Sequence, residues 1–521
     1  MHVPKRPFAA CLAVLAACQA APAQAQPTRT ALADQPTVAS VVDSLRVLAA
    51  SDASVRTARL DRFWTKLRTA GQVPFAVGDS VLWLYRGSAS SVAWAGDHTG
   101  WSPTGYTGTN AFGLGVWMRR ASFPADARID YKVVVSGSNW ILDPANSFQQ
   151  WSGFGPNSEL RMPAFAPAPE LTLRPGVARG AFSPNVRFAS AALGYDVQYR
   201  VWTPAGYSPA STPLPTLYVT DGHEFSDDRL GTMLVVLDNG IADGSVRPLV
   251  VVFVDPRNPS STGTNRRQTE LVPPGAAGSV CNPCRGDAFL AFLATELVPA
   301  IEAGYRVSAS PNDRGVVGTS LGGIFAAYAG AARPDVFRRV GILSPAFWAY
   351  PAIYDAYRRA PQGQTVFLAQ GTVGDGNGGE TLAPILQQYG YPSVYQTRHE
   401  GHSWGQWRGL LPGLLRTLYG TSTTGALADA RPAAAPLAAH VYPNPARGEA
   451  TLALVLDRPA VVTASVLDAS GREVAQAWQG AALGAGEHRV RLSTRRWAAR
   501  RYVVQVSAGT QRLSVPLVVA R

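Results

Sequence analysis

Apolar residues recur at helical spacing early in the chain, between polar and charged positions. The recurring apolar positions are Val42, Leu45, Leu48, Leu60, Phe63, Trp64 and Leu67. Steps of three and four residues place such positions on one face of an α-helix. The pattern therefore predicts one or two amphipathic helices within residues 26–72 that pack on the segment that follows.

The pattern changes to short apolar runs between residues 73 and 165. Clusters of Gly, Asp and Pro separate these runs, of which 80–85 and 131–135 are examples. Short runs interrupted by turn-forming residues are typical of β-strands joined by tight turns. We expect residues 73–165 to form a β-sandwich of the Ig-like or E-set class.

Strand-like runs alternate with helical segments between residues 166 and 420. The strand-like runs are 216–220, 249–254, 314–317, 340–343 and 365–369, and helical segments cover 288–303 and follow Ser320. This alternation is typical of parallel strands joined by crossover helices. We therefore predict an α/β domain with a mostly parallel sheet, in which ligand chemistry lies at the carboxyl ends of the strands.

The last part of the chain begins with a change in composition. Residues 421–438 are rich in Ala, Pro, Thr and Ser and contain almost no large apolar residue, as is typical of a linker. Strands are then predicted at 451–456, 460–466, 488–492, 502–506 and 513–519. A second, small β-sandwich within residues 439–521 is the simplest account, so the chain as a whole is predicted to be multidomain.

The N-terminal residues have the pattern of a secretory signal peptide. A basic start precedes an apolar stretch over residues 8–17 and a small-residue site that ends at Ala25. We expect cleavage near Ala25 and exclude residues 1–25 from the fold. A competing interpretation is a lipoprotein box that would leave a lipidated Cys18 as the new N-terminus. The remaining chain has no apolar stretch long enough to span a bilayer, so we expect no transmembrane span in the mature protein.

Charge and cysteine content exclude two other classes of protein. The formal net charge is +12, but the basic residues are scattered singly rather than clustered with aromatics, so we expect no nucleic-acid partner. Beyond the leader, the cysteines are Cys281 and Cys284. No second Cys or His pair stands near them, so a small local disulfide is favoured over a redox or metal site. We expect no metal and no cofactor.

A Gly-x-Ser-x-Gly motif over residues 318–322 carries the strongest chemical signal. It directly follows an apolar strand and directly precedes an alanine-rich helix, and its serine is Ser320. A sharp, strained turn in this setting lifts a serine hydroxyl above the sheet as a nucleophile. The competing interpretation is an ordinary Gly-Ser loop of an α/β domain.

A nucleophilic serine requires a base and an orienting carboxylate, which follow it along the chain in this fold class. His399 and His402 are the candidate bases, and we favour His402 because it lies in a glycine-containing loop beyond a strand. The candidate acids are Asp375 and Glu380, in a glycine-rich loop after the strand at 365–369. We favour Asp375, with a solvated acidic loop as the competing interpretation.

An oxyanion hole requires two backbone N–H groups near the nucleophile. One is expected at Leu321, directly after Ser320, and the other at His223, in the loop after the strand at 216–220. The His223 side chain has no part in this role.

Several of these segments together resemble one family. The glycine-rich run 318–323, the pair Asp221-Gly222, and the segment 401–404 followed by Trp407 resemble the enterochelin esterase branch of the esterase D family. The resemblance implies an α/β-hydrolase fold and hydrolysis of a carboxylic ester through an acyl-enzyme. Relatives cleave siderophore lactones or esters on sugars, so a siderophore or carbohydrate-linked ester is implied. The candidates for lining the substrate pocket are Trp348, Trp404 and Trp407.

The N-terminal part shares in this resemblance. The segments 83–87, 96–101, 140–144 and 154–160 resemble the family's N-terminal sandwich, which is similar to carbohydrate-binding modules of starch-active enzymes. The tryptophans of this region fit either ordinary core packing, which we favour, or a platform for sugar.

The C-terminal segment 441–446 and the strands after it resemble the sorting domain of type IX secretion. One departure is Arg501, where that family usually has glycine. The resemblance implies a secretion machinery as partner and export through the periplasm and outer membrane, to the cell surface or the medium.

A serine ester hydrolase that acts on a small-molecule or glycan ester is therefore the predicted function. The alternatives are a catalytically silent glycan-binding surface protein and a structural adhesin. The complete set of Ser, Asp and His in this order favours the hydrolase, since packing alone does not require all three.

Overall fold

The structure is a computed structural model of the chain. It describes residues 28–210, 212–260, 264–278, 280–376, 378–421, 438–442, 444–456, 459–468, 472–484, 486–508 and 511–520. The predicted signal peptide, Cys18 and nearly all of the predicted linker lie outside these residues. None of the helices in the described ranges is long and apolar enough to cross a membrane.

Two helices open the described chain, α1 (Val38–Ala50) and α2 (Ala53–Thr69). Side chains cap both N-termini: Thr37 accepts a hydrogen bond from the backbone of Ser40, and Asp52 accepts one from Ser54. The apolar faces of both helices are buried against the first strands of the next region. The helical spacing of apolar residues thus serves to attach this segment to a sheet.

Two antiparallel sheets follow. Their strands are β1 (Phe75–Val77), β2 (Ser80–Arg86), β3 (Val92–Gly96), β4 (Thr109–Asn110), β5 (Val116–Ser122), β6 (Arg128–Val135), β7 (Asn139–Ile141), β8 (Gln149–Ser152) and β9 (Gly155–Arg161). One sheet has the order β1-β2-β5-β4, and the other has β3-β6-β9-β8 with β7 beside β6. Trp83 of the first sheet and Trp94 and Tyr131 of the second are buried in one shared core. The Ig-like or E-set classification stays a prediction.

A nine-stranded sheet forms the centre of the next region. Its strands are β10 (Ala181–Phe182), β11 (Val186–Ser190), β12 (Tyr195–Thr203), β13 (Thr216–Val219), β14 (Val250–Asp255), β15 (Arg314–Thr319), β16 (Arg339–Leu343), β17 (Thr365–Gly371) and β18 (Ser393–Arg398). They lie in the order β10-β12-β14-β13-β15-β16-β17-β18, with β11 beside β12. All pairs from β14 to β18 are parallel, and β10 to β12 add an antiparallel edge. The predicted mostly parallel sheet is confirmed.

Helices cover both faces of this sheet. They are α3 (Gly222–Phe225), α4 (Met233–Ala242), α5 (Arg267–Glu270), α6 (Gly286–Phe292), α7 (Val298–Gly304), α8 (Leu321–Ala332), α9 (Ile353–Tyr357), α10 (Gly379–Gln388) and α11 (Trp404–Tyr419). One apolar core contains α6 to α10, and the other contains α4 and α11. Strands β13 to β17 are buried on both faces and mainly apolar, whereas the edge strand β18 is only partly buried.

The C-terminal region consists of two further antiparallel sheets. The strands are β19 (Ala438–Tyr442), β20 (Glu449–Leu456), β21 (Ala460–Leu467), β22 (Glu473–Leu483), β23 (Gly486–Ser493), β24 (Arg501–Ala508) and β25 (Gln511–Val518). Their orders are β19-β20-β23 and β22-β21-β24-β25, and both contribute to one apolar core. Strands β19 and β22 were absent from the sequence prediction. Arg501 is the first residue of β24.

Candidate active site

Ser320 lies in the sharp turn between β15 and α8, at the carboxyl edge of the central sheet. Its backbone has φ 58° and ψ −116°, a strained conformation for a residue with a side chain. A methyl group on Gly318 would overlap the backbone of Gly322, so this turn requires glycine. The Ser320 N–H donates to the Leu343 carbonyl at 2.9 Å, which fixes the turn to the next strand. The arrangement holds a partly exposed hydroxyl above the strand ends.

His402 and Asp375 form a direct hydrogen bond. The distance from His402 Nδ1 to Asp375 Oδ1 is 2.7 Å. Asp375 is fully buried, and its second oxygen accepts from Ser344 Oγ at 2.6 Å and from the Gly371 N–H at 2.7 Å. A carboxylate that accepts this many hydrogen bonds is fixed in position and orients the imidazole.

The competing candidates for base and acid lie elsewhere. His399 Nδ1 is 2.6 Å from Asp126, in an exposed pair with the N-terminal region. Glu380 lies in the first turn of α10, is exposed, and accepts from Gln370 Nε2 at 2.5 Å. The structure therefore brings together the preferred pair and gives the other two candidates different partners.

The two predicted oxyanion positions stand at neighbouring strand ends. Leu321 begins α8 and His223 lies in the first turn of α3, where backbone N–H groups have no helical partner. Asp221 precedes α3 in the left-handed conformation, with φ 52°. Burial lowers the pKa of the His223 ring, although the Asp255 carboxylate opposes this effect. This lowered pKa favours the neutral form of the ring.

Arg267 joins these two strand ends and was missed in the sequence analysis. Its Nε lies 2.9 Å from both carboxylate oxygens of Asp221, and its terminal nitrogen donates to the Thr319 carbonyl at 3.1 Å. One planar guanidinium thus fixes the residue before α3 to the residue before Ser320. No sequence motif marks Arg267, because it stands in α5, far from both segments along the chain.

The three predicted pocket tryptophans have different environments. Trp348 is 60% exposed, whereas Trp404 and Trp407 are buried. Trp404 Nε1 donates to Glu224 at 2.8 Å, and Trp407 Nε1 donates to Ser344 Oγ at 2.9 Å. The Trp407 ring also meets the His402 ring edge-on, with centroids 5.0 Å apart. Trp407 therefore supports both the imidazole and the hydroxyl that holds Asp375.

A cleft of about 550 Å³ lies between the β8–β9 hairpin and the loop that carries His223. Trp151, Arg229 and Arg257 line it, and the Arg229 guanidinium lies over the Trp151 ring, 4.7 Å from its centroid. Each arginine has an acidic partner, at 2.8 Å for Asp227 and 2.6 Å for Asp255. The cleft thus offers an aromatic surface and balanced polar groups beside one predicted oxyanion position.

Cys281 and Cys284 are joined by a disulfide bond before α6. This local link closes a loop on the face of the sheet that carries α6 to α10.

Residues 190–418 match the model of the family described as "Putative esterase", and residues 440–520 match "Secretion system C-terminal sorting domain". A protein from Bacillus subtilis (strain 168), "Uncharacterized protein YbbA", is 24% identical over 156 residues, which are 29% of this chain and 57% of that protein. The chain thus spans little more than half the length of this curated relative.

Solved structures of enterobactin esterases share the fold. The enterobactin esterase from Shigella flexneri, in the presence of enterobactin, has a TM-score of 0.52 and 19% identity, and covers 65% of this chain and 92% of its own. The ferric enterobactin esterase from Salmonella typhimurium has a TM-score of 0.51 and 21% identity, and covers 66% of this chain and 94% of its own. The predicted resemblance is confirmed for an esterase family model over residues 190–418 and a secretion sorting domain over residues 440–520, and enterobactin esterases share the fold.

Proposed function

We propose that this chain, with an esterase region over residues 190–418, is an exported serine carboxylic ester hydrolase that uses Ser320, His402 and Asp375. The observation that carries the proposal is the hydrogen bond of 2.7 Å between His402 Nδ1 and the buried Asp375. It leaves Nε2 as the basic nitrogen of the imidazole. We propose that this base accepts the proton of the Ser320 hydroxyl, which lies in the strained turn.

In the proposed reaction, His402 Nε2 takes the proton of the Ser320 hydroxyl as its oxygen attacks the ester carbonyl carbon. The carbonyl oxygen becomes negative and accepts hydrogen bonds from the N–H groups of Leu321 and His223. The tetrahedral intermediate then expels the alcohol, which receives its proton from His402. Water repeats the sequence on the acyl-enzyme, releases the acid and restores Ser320. Throughout the reaction, Asp375 accepts the hydrogen bond from His402 Nδ1–H, and its negative charge stabilises the imidazole when it is protonated.

The substrate is an ester linked to a siderophore or a carbohydrate. The cleft beside His223 is large enough for such a polar group, and Trp151 lines it with the Arg229 guanidinium stacked over its ring. The fold shared with enterobactin esterases supports the siderophore class, and the balanced charges of the cleft support a neutral sugar equally well.

Export is the second part of the proposal. The sorting domain at residues 440–520 supports delivery to the outer membrane or cell surface. Its partner is a secretion machinery, which we propose to be that of type IX secretion. The enzyme would then meet its substrate outside the periplasm.

The experiment is hydrolysis by the purified protein of short-acyl nitrophenyl esters, feruloyl sugars and catechol siderophores. We expect Ser320→Ala to lower turnover by at least about 10³-fold while its circular dichroism stays unchanged. Turnover close to wild type in Ser320→Ala would contradict the nucleophile. A protein that binds sugar and hydrolyses none of the esters would favour the silent glycan-binding alternative.

A further inference from the structure

Arg128 of β6 is a buried charge that links the N-terminal sheets to the loop of His402. It is 1% exposed and forms ion pairs with Asp130 and Glu159 of its own sheet. Its remaining nitrogen reaches across to Glu400 at 3.3 Å and to Ser403 Oγ at 3.1 Å. These two residues flank the segment 401–402, so one guanidinium holds the loop on both sides of the proposed base.

The backbone continues this link. The Arg128 N–H donates to the His399 carbonyl at 3.0 Å, and Arg128 pairs with Glu400 as a parallel β-bridge. The His402 loop follows β18 in the chain and is also paired with the first residue of β6. A side chain alone would leave the loop free to pivot, whereas a bridge with a guanidinium fixes its direction.

Close packing against Asp97 extends the contact to the loop of the proposed acid. A methyl group on Gly401 would overlap the Asp97 carboxylate, and one on Gly374 would overlap the Asp97 carbonyl oxygen. A methyl group on Gly405 would overlap the Arg128 guanidinium. Asp97 is itself fixed, because its Oδ2 accepts from the Asp130 N–H at 2.9 Å. The loops of His402 and Asp375 thus meet the same buried residues of the N-terminal region.

We propose that Arg128 is a positioning residue that sets the orientation of His402 through the segment 399–403. The N-terminal sheets are then part of the catalytic apparatus, although they contribute no group that touches the ester. This inference rests on the proposed function of Ser320, His402 and Asp375.

Within this cluster, Arg128 and Glu159 form an ion pair that the surrounding charges stabilise. Burial lowers the pKa of Arg128, but the surrounding carboxylates outweigh this effect and raise it. Burial raises the pKa of Glu159, but Arg128 and Arg161 together hold it below its usual range. Arg128 therefore stays charged at every working pH and keeps Glu159 as an ionised partner, whereas burial raises the pKa of Asp130 despite the opposing effect of Arg128.

The first experiment compares Arg128→Met and Arg128→Lys with Arg161→Met in the full chain. Arg161 pairs with the same Glu159 at 2.8 Å, and none of the contacts described for it reaches the His402 loop. We expect both Arg128 variants to lose about 10- to 100-fold in kcat with little change in KM, and Arg161→Met to lose far less. Arg128→Lys keeps the charge but not the planar set of donors, so it should recover part of the loss.

A double-mutant cycle with His402→Ala shows whether the effect passes through the base. If Arg128 acts by orienting His402, adding Arg128→Met to His402→Ala costs no further activity. A role limited to stability would lower activity equally in both backgrounds. Equal losses in both backgrounds would overturn the proposal.

Removal of Arg128 leaves buried carboxylates and can prevent folding, so a second variant tests the packing of the His402 loop on the N-terminal sheets without removing a charge. Gly401→Ala keeps every charge but pushes the loop away from Asp97, whereas a methyl group on Gly376 meets nothing within 4 Å. We expect Gly401→Ala to reproduce the loss of kcat and Gly376→Ala to retain wild-type kcat. Equal activity of the two glycine variants would overturn the proposal.

A spectroscopic readout separates this inference from the proposed function. The proton between His402 and Asp375 should give a low-field signal in proton NMR that weakens in Gly401→Ala and persists in Gly376→Ala. If wild type and Ser320→Ala hydrolyse esters equally, the proposed function fails, and the NMR comparison still tests the orientation of His402. An unchanged signal in Gly401→Ala would overturn the inference alone.

Discussion

At the scale of single residues, Ser320 and Asp375 are fixed by opposite means. Backbone strain between two glycines exposes Ser320, whereas three donors enclose Asp375 in a buried position. The first arrangement favours attack on an external ester, and the second favours a carboxylate that never moves.

We predict that Asp375→Asn lowers kcat by on the order of 10²- to 10⁴-fold, because the amide stabilises the wrong tautomer of His402. Glu380→Gln is the matched control, since it changes another carboxylate that follows the same strand and leaves the His402 pair intact. Steady-state kinetics on one nitrophenyl ester compares them. If Glu380→Gln lowers kcat strongly and Asp375→Asn does not, the orienting acid is Glu380.

Glu270 gives a prediction for the dependence of stability on pH. Burial raises the pKa of Glu270 from 4.5 to about 7, although its hydrogen bond from Tyr195 opposes the shift. The folded state then binds more protons than the unfolded state between pH 4.5 and 7, so stability falls as pH rises through this window.

We expect Glu270→Gln to remove this fall, because the amide does not ionise and still accepts from Tyr195. Relative to wild type, its free energy of unfolding should rise by on the order of 3 kcal/mol between pH 4.5 and 7.5. Urea unfolding at several pH values measures the difference. A difference that stays constant across this range would show that Glu270 does not titrate there.

The residues of the site differ in how far the sequence predicts them. Ser320, His402 and Asp375 each follow a predicted strand in a glycine-containing loop, so motif and order along the chain marked them as candidates. No sequence motif and no order along the chain points to Arg267 or Arg128. Their roles depend on partners far away along the chain, and periodicity contains no information about those pairings.

At the scale of helices and strands, the buried strands of the central sheet were the clearest elements in the sequence. Strands β13 to β17 are buried on both faces, and their continuous apolar runs were recognised. Strand β22 has an irregular pattern of partly exposed residues and register shifts against β21. Its sequence therefore lacks the regular alternation of apolar and polar residues that predicts a strand.

The two proposed oxyanion N–H groups, of His223 and Leu321, follow the carboxyl ends of β13 and β15. We predict that Arg267→Met lowers kcat about 10-fold with little change in KM, because Asp221 and Thr319 lose their common partner. Arg266→Met is the control, since Arg266 donates instead to the Asp196 carbonyl at 2.9 Å. Equal kinetics in the two variants would show that Arg267 has no role in holding the strand ends together.

At the scale of the whole molecule, the C-terminal region has a core of its own. Residues of β19 to β25 bury one another, and the segment before them has few apolar side chains. We predict that deletion of residues 439–521 leaves a folded esterase with wild-type specific activity.

The same truncated protein should remain in the periplasm of its native host, because the sorting domain is absent. Cell fractionation with an esterase assay measures its location. Activity that reaches the cell surface or medium without residues 439–521 would contradict the sorting role, and loss of activity after purification would contradict independent folding.

The cluster around Arg128 has a consequence for the conditions in which the enzyme can work. Dissolved ions weaken attraction between exposed charges such as Arg358 and Asp355, which are 50% and 78% exposed. They have little access to Arg128 and Glu400, which are 1% and 2% exposed. The contact that holds the base in place should therefore survive in brackish water or brine, where pairing on the surface fades.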